Sequence, residues 1–136
     1  MKNIKRLIIL LSTLLTLVSC AGGIKSNPSS LVDTQWKLLS INGIPFEGKS
    51  QPTISFNATR ASGFAGCNRY FSNYIFTNQG QINFDPIART KMLCHKRRIR
   101  RLERHFIAGL RTANAFSIYN GILEIKGREG ILQFEQ

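Results

Sequence analysis

Beyond an apolar run at the N-terminus, one stretch alone carries a helical period. Between about Lys96 and Ala113, the residues Ile99, Leu102, Phe106, Ile107, Leu110 and Ala113 fall on one face. Everything else with a pattern is short and alternating. Trp36 to Ile41 ends at Asn42-Gly43, a turn signal, and Thr53 to Phe56 with Ala61 to Phe64 flanks Asn57 to Arg60 as a hairpin. Tyr70 to Thr77 and Gln81 to Phe84 enclose Asn78-Gln79-Gly80. Ala115 to Ile118, Ile122 to Lys126 and Ile131 to Phe134 form a meander around Asn120-Gly121 and Gly127 to Gly130. Strands, one helix, then strands predict an α+β domain: a curved antiparallel, barrel-like sheet with the helix packed on or plugging it.

The N-terminus sets the compartment. Lys2, Lys5 and Arg6 precede an apolar run from Leu7 to Val18, the layout of an export signal and too short for a comfortable membrane span. Leu17-Val18-Ser19-Cys20 resembles the lipobox of bacterial lipoproteins, so cleavage is expected before Cys20 and acylation on its thiol. Two or more acyl chains hold a protein stably at a bilayer. Ala21 follows the cysteine rather than aspartate, which points to the periplasmic face of the outer membrane. The chain thus divides into a signal peptide at 1–19, a lipidated tether at 20–30 and one domain at 31–136. Ala21 to Ser30, with its Gly, Pro and Ser, reads as flexible and reaches at most roughly 35 Å.

Charge narrows the partners. Without residues 1–19 the chain keeps 16 of 19 basic residues and all seven acidic ones, and 16 minus 7 is +9. Such a balance often means nucleic acid, but an exported chain meets anionic membrane surface instead. The expectation is a monomer attached through its anchor, with anionic lipid or an envelope protein as partner, no nucleic acid, no metal and no cofactor.

A set of motifs spread over about residues 31–134 resembles the META domain family, which includes the heat-shock lipoprotein HslJ. The motifs begin with Trp36-Lys37-Leu38, Asn42-Gly43 and Pro52-Thr53-Ile54-Ser55-Phe56, and centre on Gly63-Phe64-Ala65-Gly66-Cys67-Asn68-Arg69-Tyr70. They continue with Thr90-Lys91-Met92-Leu93-Cys94, Glu103, Phe106 and Gly121-Ile122-Leu123-Glu124-Ile125. The resemblance implies a stress-related envelope protein without an established reaction, and a fold similar to that of lipid-binding secretion pilot proteins. In place of the proline and acidic residues common in that family after the second cysteine, His95-Lys96-Arg97-Arg98 follows here.

Cys67 and Cys94 are the thiols left after lipidation, and an oxidising compartment favours a disulfide over two buried free thiols. A zinc site from Cys67, Cys94, His95 and His105 lacks metal-site spacing. A catalytic Cys94-His95 pair fails because sequence neighbours usually point apart, and Asp33 and Asp85 leave little for a triad. The domain is therefore expected not to be an enzyme. Gly63, Gly66 and Asn68 suit positive φ or close backbone approach around Cys67, and Trp36, Phe56, Phe64, Phe84 and Phe134 suit the core. Glu103 falls inside the apolar arc of the helix, so it needs a partner within the domain or a functional cavity to face.

The anomaly is the basic run. Lys96, Arg97, Arg98, Arg100, Arg101 and Arg104 crowd the start of the helix, with Glu103 alone opposing them. Cations there oppose the helix dipole, and like charges at i,i+4 such as Arg97 and Arg101 repel. The two readings are a solvated face and an anion-seeking surface. Neutralising the five arginines is expected to leave the fold intact.

Overall fold

The two-residue turns fix the hairpins. Asn42 and Gly43 adopt φ of 52° and 75°, and Asn120 and Gly121 adopt 49° and 75°. Successive positive φ values produce the tight turn whose twist matches that of paired strands. Across them Ile41 faces Ile44 and Tyr119 faces Ile122. The protein is described by a computed structural model over residues 31–136; the expected export signal at 1–19, Cys20 and the expected tether at 20–30 lie outside the described residues.

The strands are β1 (Thr34–Ile41), β2 (Ile44–Pro45), β3 (Thr53–Phe56), β4 (Arg60–Phe64), β5 (Arg69–Phe76), β6 (Ile82–Phe84) and β7 (Ala88–Arg89). The helix α1 (Arg97–Arg111) follows, then β8 (Ala113–Tyr119), β9 (Ile122–Gly127) and β10 (Gly130–Glu135). Neighbours run β6-β5-β4-β3-β1-β10-β9-β8, all antiparallel, with β2 added to β1 and β7 to β5. The ends of this path approach each other, since Gln81 bridges Ala115 and Phe116 N–H donates to the Gly80 carbonyl at 2.7 Å. The result is a nearly closed barrel, as the sequence pattern predicts.

Alternation places the core. Trp36, Leu38 and Ser40 of β1, Tyr70, Ser72 and Tyr74 of β5, Leu123 and Ile125 of β9, and Leu132 and Phe134 of β10 turn inward. The helix supplies Phe106 and Leu110, both fully buried. The Phe106 ring makes edge contacts with Tyr70 at 5.6 Å and Phe134 at 6.1 Å, tying β5 to β10 through the helix. Burying one such ring contributes about 2 to 3 kcal/mol. Gly109 lets the helix close on Leu132, whose side-chain carbons lie 3.0 Å from where a Cβ would stand.

Several local expectations need correction. Ala113 begins β8 instead of ending the helix, because Thr112 closes the last turn with its hydroxyl on the Ala108 carbonyl at 3.0 Å. The strands β2 and β7 have two residues each, too short to show alternation. Phe64 and Phe84 are only half-buried. Gly66 does adopt a positive φ of 103°, and a Cβ at Gly63 would collide with the Thr53 carbonyl. Asn68 is not among the residues with positive φ; its importance is of another kind.

Candidate functional site

Two features stand out, one buried and one exposed. The buried one joins the motif around Cys67 to the motif around Cys94. Asn68, at the end of the turn into β5, is 5% exposed, and Glu103 of α1 is equally buried. The Glu103 carboxylate accepts the Asn68 backbone N–H at 2.9 Å and the Asn68 side-chain amide at 3.0 and 3.1 Å. The Arg89 guanidinium donates to the same carboxylate at 2.9 Å. On its other side the Asn68 side-chain oxygen accepts the Thr90 hydroxyl at 2.8 Å and the Met92 N–H at 2.7 Å.

Every hydrogen-bonding group of the Asn68 side chain is thus occupied. Among the described residues no buried side-chain nitrogen or oxygen lacks a partner. The carboxylate that looks misplaced in the apolar arc has found its partner within the domain. Cys67 and Cys94 form a disulfide beside this knot, with Cα atoms 6.2 Å apart, inside the range a bridge requires. Closing the 27-residue loop stabilises the fold by about 3.5 kcal/mol on the chain-entropy view.

The structure does not bring together the four residues of the zinc set that sequence spacing disfavours. The sulfurs of Cys67 and Cys94 and a Glu103 oxygen lie within 4.8 Å of one another, but the sulfurs are bonded to each other, and His95 and His105 are not in the group. Elsewhere in the core, burial pushes the Tyr70 phenol well above its ordinary range. Its hydroxyl donates to the Thr53 carbonyl at 2.8 Å, a neutral structural bond.

The exposed feature is the start of α1. Lys96, Arg97, Arg98, Arg100, Arg101 and Arg104 are all exposed. Lys96 caps the helix without a side-chain hydrogen bond, and the first turn holds no acidic residue. Among the described residues, Arg98 alone of this run reaches a carboxylate, that of Glu47 at 3.9 Å, with both side chains largely in solvent. Arg100 differs from the others. Its guanidinium donates to the carbonyls of Cys94 at 2.7 Å and His95 at 3.1 Å, so it fastens the segment entering the helix. That structural task was not legible from charge alone.

Beside the run lies a groove of about 860 Å³ between α1 and the segment from β1 through β2 to Ser50. Leu38, Ile41, Ile44, Phe46, Ile99 and Leu102 contribute its apolar surface. Lys49, Lys96, Arg98, Arg101 and His105 bring basic groups to its lining, against Glu47 as the one carboxylate. Arg98 crosses from helix to loop and donates to the Glu47 carbonyl at 3.0 Å. Periodicity places Ile99 and Leu102 toward the domain, but the opposing wall comes from residues some fifty positions earlier, which no local pattern reveals.

The fold is shared with solved proteins. One structure determined by NMR matches with a TM-score of 0.66 and 25% identity, covering 80% of this chain and 93% of that one. An NMR structure of a protein from Burkholderia xenovorans matches with a TM-score of 0.64 and 21% identity, covering 82% of this chain and 88% of its own. A comparison with curated proteins gives no match. The sequence matches the META domain over residues 29–136, the span that holds the disulfide, the Asn68–Glu103 knot and the whole barrel. The chain belongs to the META domain family.

Proposed function

We propose that this protein is a non-enzymatic, stress-related lipoprotein of the bacterial envelope, held by acylated Cys20 at the periplasmic face of the outer membrane. Its basic helix engages anionic lipid. The observation that carries this reading is the exposed basic run at the start of α1, whose one carboxylate contact among the described residues, Arg98 to Glu47, is largely in solvent. Cations at that end of a helix cost about 0.3 to 1 kcal/mol each, whereas each Lys or Arg brought to an anionic membrane surface gains about 1 kcal/mol. Solvated placement leaves the penalty unopposed; contact with lipid headgroups offsets it.

The test uses residues 30–136 with vesicles containing phosphatidylglycerol or cardiolipin. Binding should exceed that to neutral vesicles and fade with rising salt, because exposed charges are screened over about 8 Å at physiological ionic strength. Replacing Arg97, Arg98, Arg101 and Arg104 by Gln should abolish it. Undiminished binding by a folded variant would refute this reading. The anchor has its own check: Cys20→Ser should end labelling by palmitate.

A second reading, a pilot or chaperone role for another envelope protein, is favoured by Met92 and Leu93, which are 64% and 79% exposed beside the disulfide. A stoichiometric protein complex lost on Met92→Ser and Leu93→Ser would favour it over lipid binding.

A further inference from the structure

We infer that the groove between α1 and the β1–β2 segment is a binding site for an amphiphile with one acyl chain and an anionic headgroup. This rests on the lipid-directed reading of the basic helix but assigns a distinct site and ligand class. Contact with a flat headgroup layer would use the cations alone, and the apolar groove wall behind them would stay in water. Ile44, 73% exposed, stands at the groove while Leu38, fully buried, closes its depth. Such an arrangement suits a chain laid along the apolar wall with its charge among Lys49, Lys96, Arg98 and Arg101.

The dimensions restrict the occupant further. The volume, about 860 Å³, lies within the range of small-molecule sites. Arg98 bridges the two walls through the Glu47 carbonyl, so the groove is only a side chain's reach across at that point. A helix with its side chains is roughly 10 Å wide and does not fit beneath such a bridge. A single hydrocarbon chain does. Glu47 is the one carboxylate in the lining, and it lies 3.9 Å from Arg98 with both side chains largely in solvent, so the basic groups of the lining stay available to an incoming anion.

The domain can be tested alone, because the described residues form a continuous buried core, the family domain spans residues 29–136, and two NMR structures of this fold are matched over 93% and 88% of their own chains. The probes are lysophosphatidylglycerol, lysophosphatidylcholine and the free fatty acid laurate, each with a 12-carbon chain and used below its micelle concentration. Calorimetry measures affinity, and amide shifts locate the site. The two anionic probes should bind on the order of tenfold more tightly than the zwitterionic one. If laurate binds and lysophosphatidylglycerol does not, the source is a free fatty acid; the reverse points to a phospholipid headgroup.

Each methylene withdrawn from water favours binding by about fourfold, so an eight-carbon chain, four methylenes shorter, should lose roughly 200-fold. Ile44→Asp, a change at an exposed position, should remove amphiphile binding while leaving the fold and most vesicle binding in place. Arg98→Gln with Arg101→Gln should remove the preference for an anionic head.

If none of the 12-carbon probes binds while vesicles do, the groove assignment fails and the surface reading stands. If neither binds, both fail. Equal binding by the folded Ile44→Asp variant, or shifts away from the groove, overturns the site. A concentration-dependent dimer that Ile44→Asp dissociates, with no amphiphile binding by the parent, assigns the groove to a second copy of the chain instead.

Discussion

Glu103 and Asn68, 35 residues apart, hold each other at three donor-acceptor distances between 2.9 and 3.1 Å, and through that contact the helix is fastened to the turn that carries Cys67. The carboxylate accepts from the backbone and from the side chain of the same residue. Helix position, turn conformation and the Cys94 segment are therefore coupled in one polar cluster. The prominent motifs are, in this part of the chain, instructions for assembly.

Glu103→Gln keeps the shape but loses the charge and turns an amide donor toward the Asn68 amide or Arg89. Removing charge-assisted bonds at a buried site should cost about 2 to 3 kcal/mol. The midpoint of urea unfolding should fall accordingly. Asn68→Asp, which sets a second carboxylate against Glu103, should cost at least as much, while Arg89→Gln should cost less because that side chain is half exposed. A Glu103→Gln protein as stable as the parent would show the cluster to be energetically idle.

The bridge makes a separate prediction. Cys67 and Cys94 should resist alkylation in denaturant until a reductant is added, and then both should react. Cys67→Ser with Cys94→Ser should lower stability by about 3.5 kcal/mol on the chain-entropy view. Full labelling without reductant would exclude the disulfide.

The arginines should separate into two groups. Arg97→Gln, Arg101→Gln and Arg104→Gln relieve unfavourable dipole and like-charge terms, so thermal stability should hold or rise by up to about 1 kcal/mol. Arg100→Gln loses its bonds to the Cys94 and His95 carbonyls and should cost about 0.5 to 1.5 kcal/mol. Equal effects from all four substitutions would contradict the distinct placement of Arg100.

On the barrel wall, the side-chain bonds from Lys126 and Gln133 hold the Glu124 carboxyl below its ordinary value. They lie 2.8 and 2.9 Å away. Because the folded pKa is lowered, the contribution is present above the unfolded value of 4.5 and is lost as pH falls through the folded one. Glu124→Gln should therefore be less stable than the parent at neutral pH, and the difference should shrink on acidification below about pH 4.5. A stability gap that is constant from pH 7 to pH 3 would rule out this linkage.

Much of the fold is written locally. Alternation along β1, β5, β9 and β10, the Asn-Gly turns and the 3.6-residue period of α1 all arise between residues near in sequence, whose geometry the backbone fixes. The sequence by itself therefore determined an antiparallel barrel with one helix, the run of cations at its start and the need of Glu103 for a partner. It did not determine that the partner would be Asn68 with Arg89, that Arg100 would fasten the helix entry, or that Ile44 and Phe46 would face Ile99 and Leu102 across a groove. Apart from the local bonds of Arg100, those pairings join residues from 14 to 58 positions apart. Only closure of the barrel, with strand register and helix docking fixed together, decides which distant side chains meet, because no local period encodes the distance between them.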